Sequence, residues 1–178
     1  MNGLHVTQHW HRYTPTVGMM TIVLFSVLGF SSGSNAATAT ASMSAVVLSP
    51  ISITKISDLS FGDVYPDIAA IGTISIDSGS NRIAGGAAAL GPTSGTAAQF
   101  TVTGEANAAY VLSLPTTAVS LNSPTGDTMS VDSFINDGTG ALNGGGTEIV
   151  SVGATLHVGA KQVPGSYSGT FDVTVNYN

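Results

Sequence analysis

Residues 165–178 read GSYSGTFDVTVNYN. From Tyr167 the odd positions are Tyr167, Gly169, Phe171, Val173, Val175 and Tyr177, and the even ones are Ser168, Thr170, Asp172, Thr174, Asn176 and Asn178. Successive side chains of a β-strand point to opposite faces. Period two, with aromatic and β-branched residues on one parity, therefore predicts a strand with one buried and one wet face. Such a strand needs a hydrophobic floor and a neighbour for its backbone groups. What supplies that neighbour is the functional question the sequence poses.

The same alternation recurs upstream. Ile51 and Ile53, Ile74 and Ile76, Phe100 and Val102, Tyr110 and Leu112, Met129 and Val131 with Phe134 beyond an irregularity, and Val152 to Val158 each mark a strand. Arg82 to Leu90 is a weaker strand, Val119 to Leu121 a short edge piece, and residues 99–103 with 110–114 the clearest hairpin pattern. Only 8% of the chain is charged, it has 4 Lys plus Arg, and it has 22 Gly, which disfavours long helices. We expect an all-β domain of about eight or nine short strands, an immunoglobulin-like β-sandwich, with a barrel as the alternative.

The formal charge of −6 argues against nucleic acid and anionic membrane partners, which need a basic patch. Cys is absent, so no disulfide, thiolate metal site or Cys nucleophile is available. Arg12 and an apolar run of about 14 residues, 17–30, precede small residues, the pattern of a cleaved signal peptide too short to span a bilayer. This divides the chain into a signal peptide, 1–36, an N-terminal extension, 37–49, and a sandwich, 50–178. Export to the periplasm, cell surface or medium follows, with no membrane span after cleavage.

Candidate chemistry is sparse. His5, His9 and His11 fall in the signal segment, leaving His157 alone in the mature chain. Asp127, Asp132, Asp137 and Glu148 are the densest carboxylates, but their spacing fits no calcium loop and reads as solvated turn acids. The Gly-rich loop 136–146 lacks the Lys-Ser/Thr of a phosphate cradle, and the serines have no histidine partner at any motif spacing. We expect no enzyme, no catalytic residues, no metal and no cofactor.

Leu59-Ser60-Phe61-Gly62, the run 98–104 (AQFTVTG), 153–160 (GATLHVGA) and the terminal strand together resemble the bacterial secreted family catalogued as domain of unknown function 4402, from about Ile51 onward. The last strand is also similar to that of chaperone-usher pilus subunits, which end in an alternating apolar strand with a penultimate Tyr and a Gly fourteen residues from the end. Tyr177 and Gly165 stand at those positions. That resemblance implies a terminal strand paired through Gly165, Tyr167, Phe171, Val173, Val175 and Tyr177, a periplasmic chaperone, and an N-terminal donor strand.

Residues 37–47 alternate as well, and Ala39, Ala41, Met43, Ala45 and Val47 form the candidate donor face. The chain departs from the pilus pattern in lacking a Cys pair and in having alanine at four of the six odd apolar positions from 37 to 47. A buried Leu- or Ile-sized side chain is worth about 1.5–3 kcal/mol, so alanines would lock such a strand weakly. The same segment also reads as an ordinary first strand or a tail. The function expected is a non-enzymatic structural or adhesive surface protein, a pilin-like subunit forming homo-polymers or joining sister subunits by β-strand exchange. The alternative is a monomeric envelope module binding a glycan or calcium through loops such as 136–146.

Overall fold

The computed structural model describes residues 36–178. The expected signal peptide lies outside them apart from Ala36. The chain divides into two units, Met1–Ser44 and Ala45–Asn178. Of the first, residues 36–44 are exposed and carry neither helix nor strand.

The second unit is an all-β sandwich. Its strands are β1 (Ser52–Ser57), β2 (Val64–Tyr65), β3 (Gly72–Ile76), β4 (Arg82–Gly86), β5 (Ala89–Leu90), β6 (Ala98–Thr103), β7 (Tyr110–Ser113), β8 (Val119–Asn122), β9 (Thr128–Asn136), β10 (Thr147–Val158) and β11 (Thr174–Tyr177). Nine of these have four or more residues, and all pairings are antiparallel.

β10 is the strand on which the sandwich is assembled. Its first half, Thr147 to Val152, pairs with β6, and its second half, Ala154 to Val158, pairs with β3. Val152 pairs with both Ala98 of β6 and Asn136 of β9, so β9 takes the opposite edge and runs along β10 as far as His157. β1 lies outside β6, β4 outside β3 and β8 outside β9. β11 with β7, and β2 with β5, form separate two-stranded ladders. The even residues Val150, Val152, Ala154, Leu156 and Val158 are all buried, the parity the sequence predicted. They serve two hydrophobic clusters in turn. Val150 joins Val102, Tyr110 and Leu142, whereas Leu156 and Val158 join Ile74, Ile76, Met129, Val131 and Phe61.

Three sequence expectations change. β6 and β7 do not form a hairpin: β6 pairs with β1 and β10, and β7 pairs with β11. Val102 and Tyr110 nevertheless share one core cluster. Alternation reports which face is buried and not which strand lies beside it, so two strands facing each other across a core carry the same pattern as a hairpin. The terminal strand is shorter than expected, since only Thr174–Tyr177 is paired as a strand and Ser168 makes a lone bridge to Asn122. Residues 37–47 form no strand. By contrast, the irregularity expected between Val131 and Phe134 is a bulge: Ser133 has φ 51° and the β9–β10 register slips there.

Gly153 sits where β10 passes from β6 to β3. A Cβ there would lie 2.1 Å from the Ile76 carbonyl oxygen, so only glycine lets the two backbones approach at this crossing. Gly153→Ala is expected to lower stability by about 2 kcal/mol or more, the range for overpacking a tight core. Urea denaturation measures it, and an unchanged midpoint would contradict the role assigned to the crossing.

Candidate functional site

An opening in the second unit, lined mainly by apolar side chains, is a groove of about 850 Å³. One wall is the end of β1 and the following chain, residues 58–66, with Leu59, Phe61 and Val64 directed inward. The other wall is residues 162–171, and the floor is Met129, Val131, Phe134, Leu156 and Val158.

Both walls offer unpaired backbone. Among the described residues β1 pairs with β6 alone, which leaves its other edge unpaired. Residues 169–173 make no backbone–backbone hydrogen bond among the described residues. A free edge is a template for another strand unless it is guarded. The guards on β1 are Lys55, at the groove mouth, and a bulge between Lys55 and Ser57.

Each wall is held from behind. The Arg82 guanidinium, from β4, donates to the carbonyls of Asp63 and Thr93, and the Asp63 carboxylate accepts the Thr93 main-chain N–H at 3.3 Å. Arg82 thereby fixes the turn that follows Phe61. On the opposite wall the Gln162 amide donates to Thr128 O at 3.2 Å and to the Tyr167 hydroxyl at 2.9 Å, and that hydroxyl donates to Val163 O at 2.7 Å. Phe171 closes the upper end, 5.0 Å from Phe134 between ring centres and edge-on to Phe100 at 6.3 Å.

The terminal residues singled out from sequence divide between this wall and the upper core. Tyr167, Phe171, Val173, Val175 and Tyr177 are half-buried and the intervening even positions are exposed, as the alternation requires; Gly169 breaks the parity and is exposed. Val175 and Tyr177 pack against the Val102 cluster. The Tyr177 hydroxyl accepts the Glu105 N–H at 2.6 Å and donates to Ser49 O at 2.7 Å. Gly165 is exposed, with open space where a Cβ would stand. Of the donor candidates, Ala39, Ala41, Met43, Ala45 and Val47 are all exposed.

The candidate chemical groups do not converge. His157 has a partner that the sequence did not reveal: its Nε2 lies 2.9 Å from Asp132 Oδ1, on a half-exposed sheet face. That hydrogen bond holds the Asp132 carboxyl below its usual range. The Asp127 carboxylate accepts the Thr125 hydroxyl at 2.8 Å within its own turn, while its main-chain N–H donates to the Ser123 hydroxyl. Asp137 accepts the Ser151 N–H at 2.6 Å. Among the described residues no three His, Asp or Glu side chains are placed to hold a metal ion.

Glu148 is a structural tie. It accepts the Tyr110 hydroxyl at 2.6 Å and the Thr139 N–H at 2.7 Å. Burial alone would raise its carboxyl, but these donors outweigh burial and the net shift is downward. Burial, reinforced by the bond to Glu148, pushes the Tyr110 hydroxyl well above its ordinary value. A carboxyl depressed in the folded state contributes stability above its unfolded pKa of about 4.3, and that contribution is lost as pH falls through the lower folded value. Between pH 5 and 2 the unaltered chain should therefore lose stability more steeply than Glu148→Gln, measured by urea denaturation at each pH. Parallel acid limbs would contradict this account.

The fold and groove define an all-β sandwich with an apolar groove between the edge of β1 and the non-strand segment 162–171. Residues 51–177 match the family model described as Domain of unknown function (DUF4402), and the chain belongs to that family. No curated protein and no solved structure matches it.

Proposed function

We propose that this protein is an exported, non-enzymatic structural or adhesive surface subunit that assembles by β-strand exchange, with the groove between β1 and residues 162–171 as the strand acceptor. The observation that carries the reading is the conjunction of an apolar floor with unpaired backbone on both walls. An added strand would find main-chain partners at the edges and burial for alternate side chains below, the two terms that drive β-augmentation.

Other observations support the same reading. The absence of cysteine removes disulfides as a means of stabilising an exported domain, so an added strand has more to contribute. The dispersed carboxylates and the isolated His157–Asp132 pair supply no nucleophile with a base and an oxyanion site. A second reading, a monomeric ligand-binding module, draws on the groove volume, which lies within the range of small-molecule sites.

The full chain, followed by light scattering across protein concentration, separates the two. Strand exchange predicts oligomers that grow with concentration. Lys55→Trp, which sets an indole at the groove mouth, is expected to abolish them with little change in stability, because the exposed Lys55–Asp58 pair it removes contributes at most about 1 kcal/mol. A monodisperse monomer at every concentration would contradict the proposal and favour the ligand-binding module.

A further inference from the structure

Independently of strand exchange, we infer that residues 65–71 and 159–163 form a lipid-contacting tip, which lies in the interfacial layer of a zwitterionic bilayer through Ile68 and Ile71 without spanning it. Ile68-Ala69-Ala70-Ile71 is a run of four apolar residues, and all four are exposed. From β1 onward, Ile68 at 77% and Ile71 at 74% are the two most exposed large hydrophobic side chains. Tyr65, at 58%, and Val163, at 43%, extend the patch. A run of this length left in water is a liability unless something covers it.

The exposure is held in place by the surrounding backbone. Asp67 Oδ1 accepts the N–H groups of Ala69 at 2.7 Å and Ala70 at 2.9 Å, and the Asp67 carbonyl accepts the Lys161 N–H at 2.8 Å. The last of these bonds ties the 159–163 turn to the loop. At the other end the Ile71 carbonyl accepts the Ala87 N–H at 3.3 Å, and Gly72 is packed so closely that a Cβ would lie 2.1 Å from the Ala88 nitrogen. The run is thus a closed turn fixed at both ends, with its side chains outside. Backbone donors without partners are costly in an apolar medium, and Asp67 satisfies those of the two middle residues.

Size and charge select the partner. A stable protein interface engages about 20–30 residues a side, far more than this patch supplies, whereas a bilayer takes up apolar side chains singly. Tyr65 and the exposed Lys161 flank the run, and residues with apolar bodies and polar ends suit the headgroup layer. With 4 Lys plus Arg against 10 Asp plus Glu, the chain has no net attraction to anionic lipid, so the contact is apolar and directed to neutral headgroups. The 159–163 turn follows the end of β10, while the loop 136–146 precedes its start. Twelve residues of strand separate the two, about 40 Å along the strand.

Because the chain has no cysteine, one engineered thiol carries a fluorophore to a single place. Ala70→Cys puts a bimane on the exposed tip, and Gly144→Cys puts one in the exposed loop at the other end of β10. Each labelled full-length chain is mixed with phosphatidylcholine vesicles bearing nitroxides on their acyl chains. Only a label within the bilayer is quenched, independently of any lipid contact made by the apolar run 17–30. Quenching is expected at position 70 and not at 144, and to the same extent at low and high salt. Adding Ile68→Ser and Ile71→Ser, both at exposed positions, should raise the vesicle concentration for half-maximal quenching about tenfold or more, with the urea midpoint unchanged. Equal quenching at 70 and 144, or none at either, would overturn the inference. Quenching that requires anionic lipid and vanishes in salt would overturn it in favour of electrostatic adsorption. A label at 70 that is shielded by raising protein concentration without lipid would overturn it in favour of a protein partner. Light scattering tests strand addition at the groove separately, so the two readings fail independently.

Discussion

One strand belonging to two cores is the constraint on which the rest depends. β10 is long enough for Val150 to help close the upper cluster and for Leu156 and Val158 to close the lower one, and its backbone is paired along both edges where β9 runs beside it. Its apolar parity is maintained without interruption through the crossing at Gly153. Burial of each Val- or Leu-sized side chain is worth about 1.5–3 kcal/mol, and a single strand directs five residues of one parity, one of them Ala154, into the interior. The sandwich therefore has a well-filled centre.

What is left incomplete lies at its margin. β1 and the terminal segment flank the lower core without closing on one another, and their side chains around the groove are half-buried. Leu59, Val64, Phe134 and Tyr167 all touch the buried cluster without being covered by it. The proposed strand addition would cover these aromatic and aliphatic groups and pair the backbone beside them. The cleft is kept open from both sides, by Arg82 on the Asp63 turn and by Gln162 and Tyr167 on the opposite wall. These ties hold the walls as walls, which is what an acceptor for a strand requires.

Much of the fold was legible because side-chain period is a local property. The parity of Val152 to Val158, the bulge before Phe134 and the alternation of Tyr167 to Tyr177 all appear in the sequence and recur in the structure. Pairing was not legible: β6 and β7 carry complementary patterns yet lie in different ladders, since register depends on chain-distant neighbours. The length of the terminal strand was overestimated for the same reason, because a segment can keep its parity over Phe171 and Val173 without a partner for its backbone. The candidate site was the least legible part. The groove is built from β1 with residues 58–66 on one side and residues 162–171 on the other, which are far apart in sequence, and Arg82 stands in the sequence only as the first residue of a weak strand. The pairing of His157 with Asp132 was hidden likewise, as it depends on the β9–β10 register.

The central claim is that the free edges beside the groove are satisfied by an incoming strand. Amide hydrogen exchange on the full chain, compared between dilute monomer and concentrated assembly, tests it most directly. The account predicts that residues 169–173 and the free edge of β1 exchange rapidly when dilute and become protected on assembly. Assembly that leaves those amides as fast as in the monomer would contradict it.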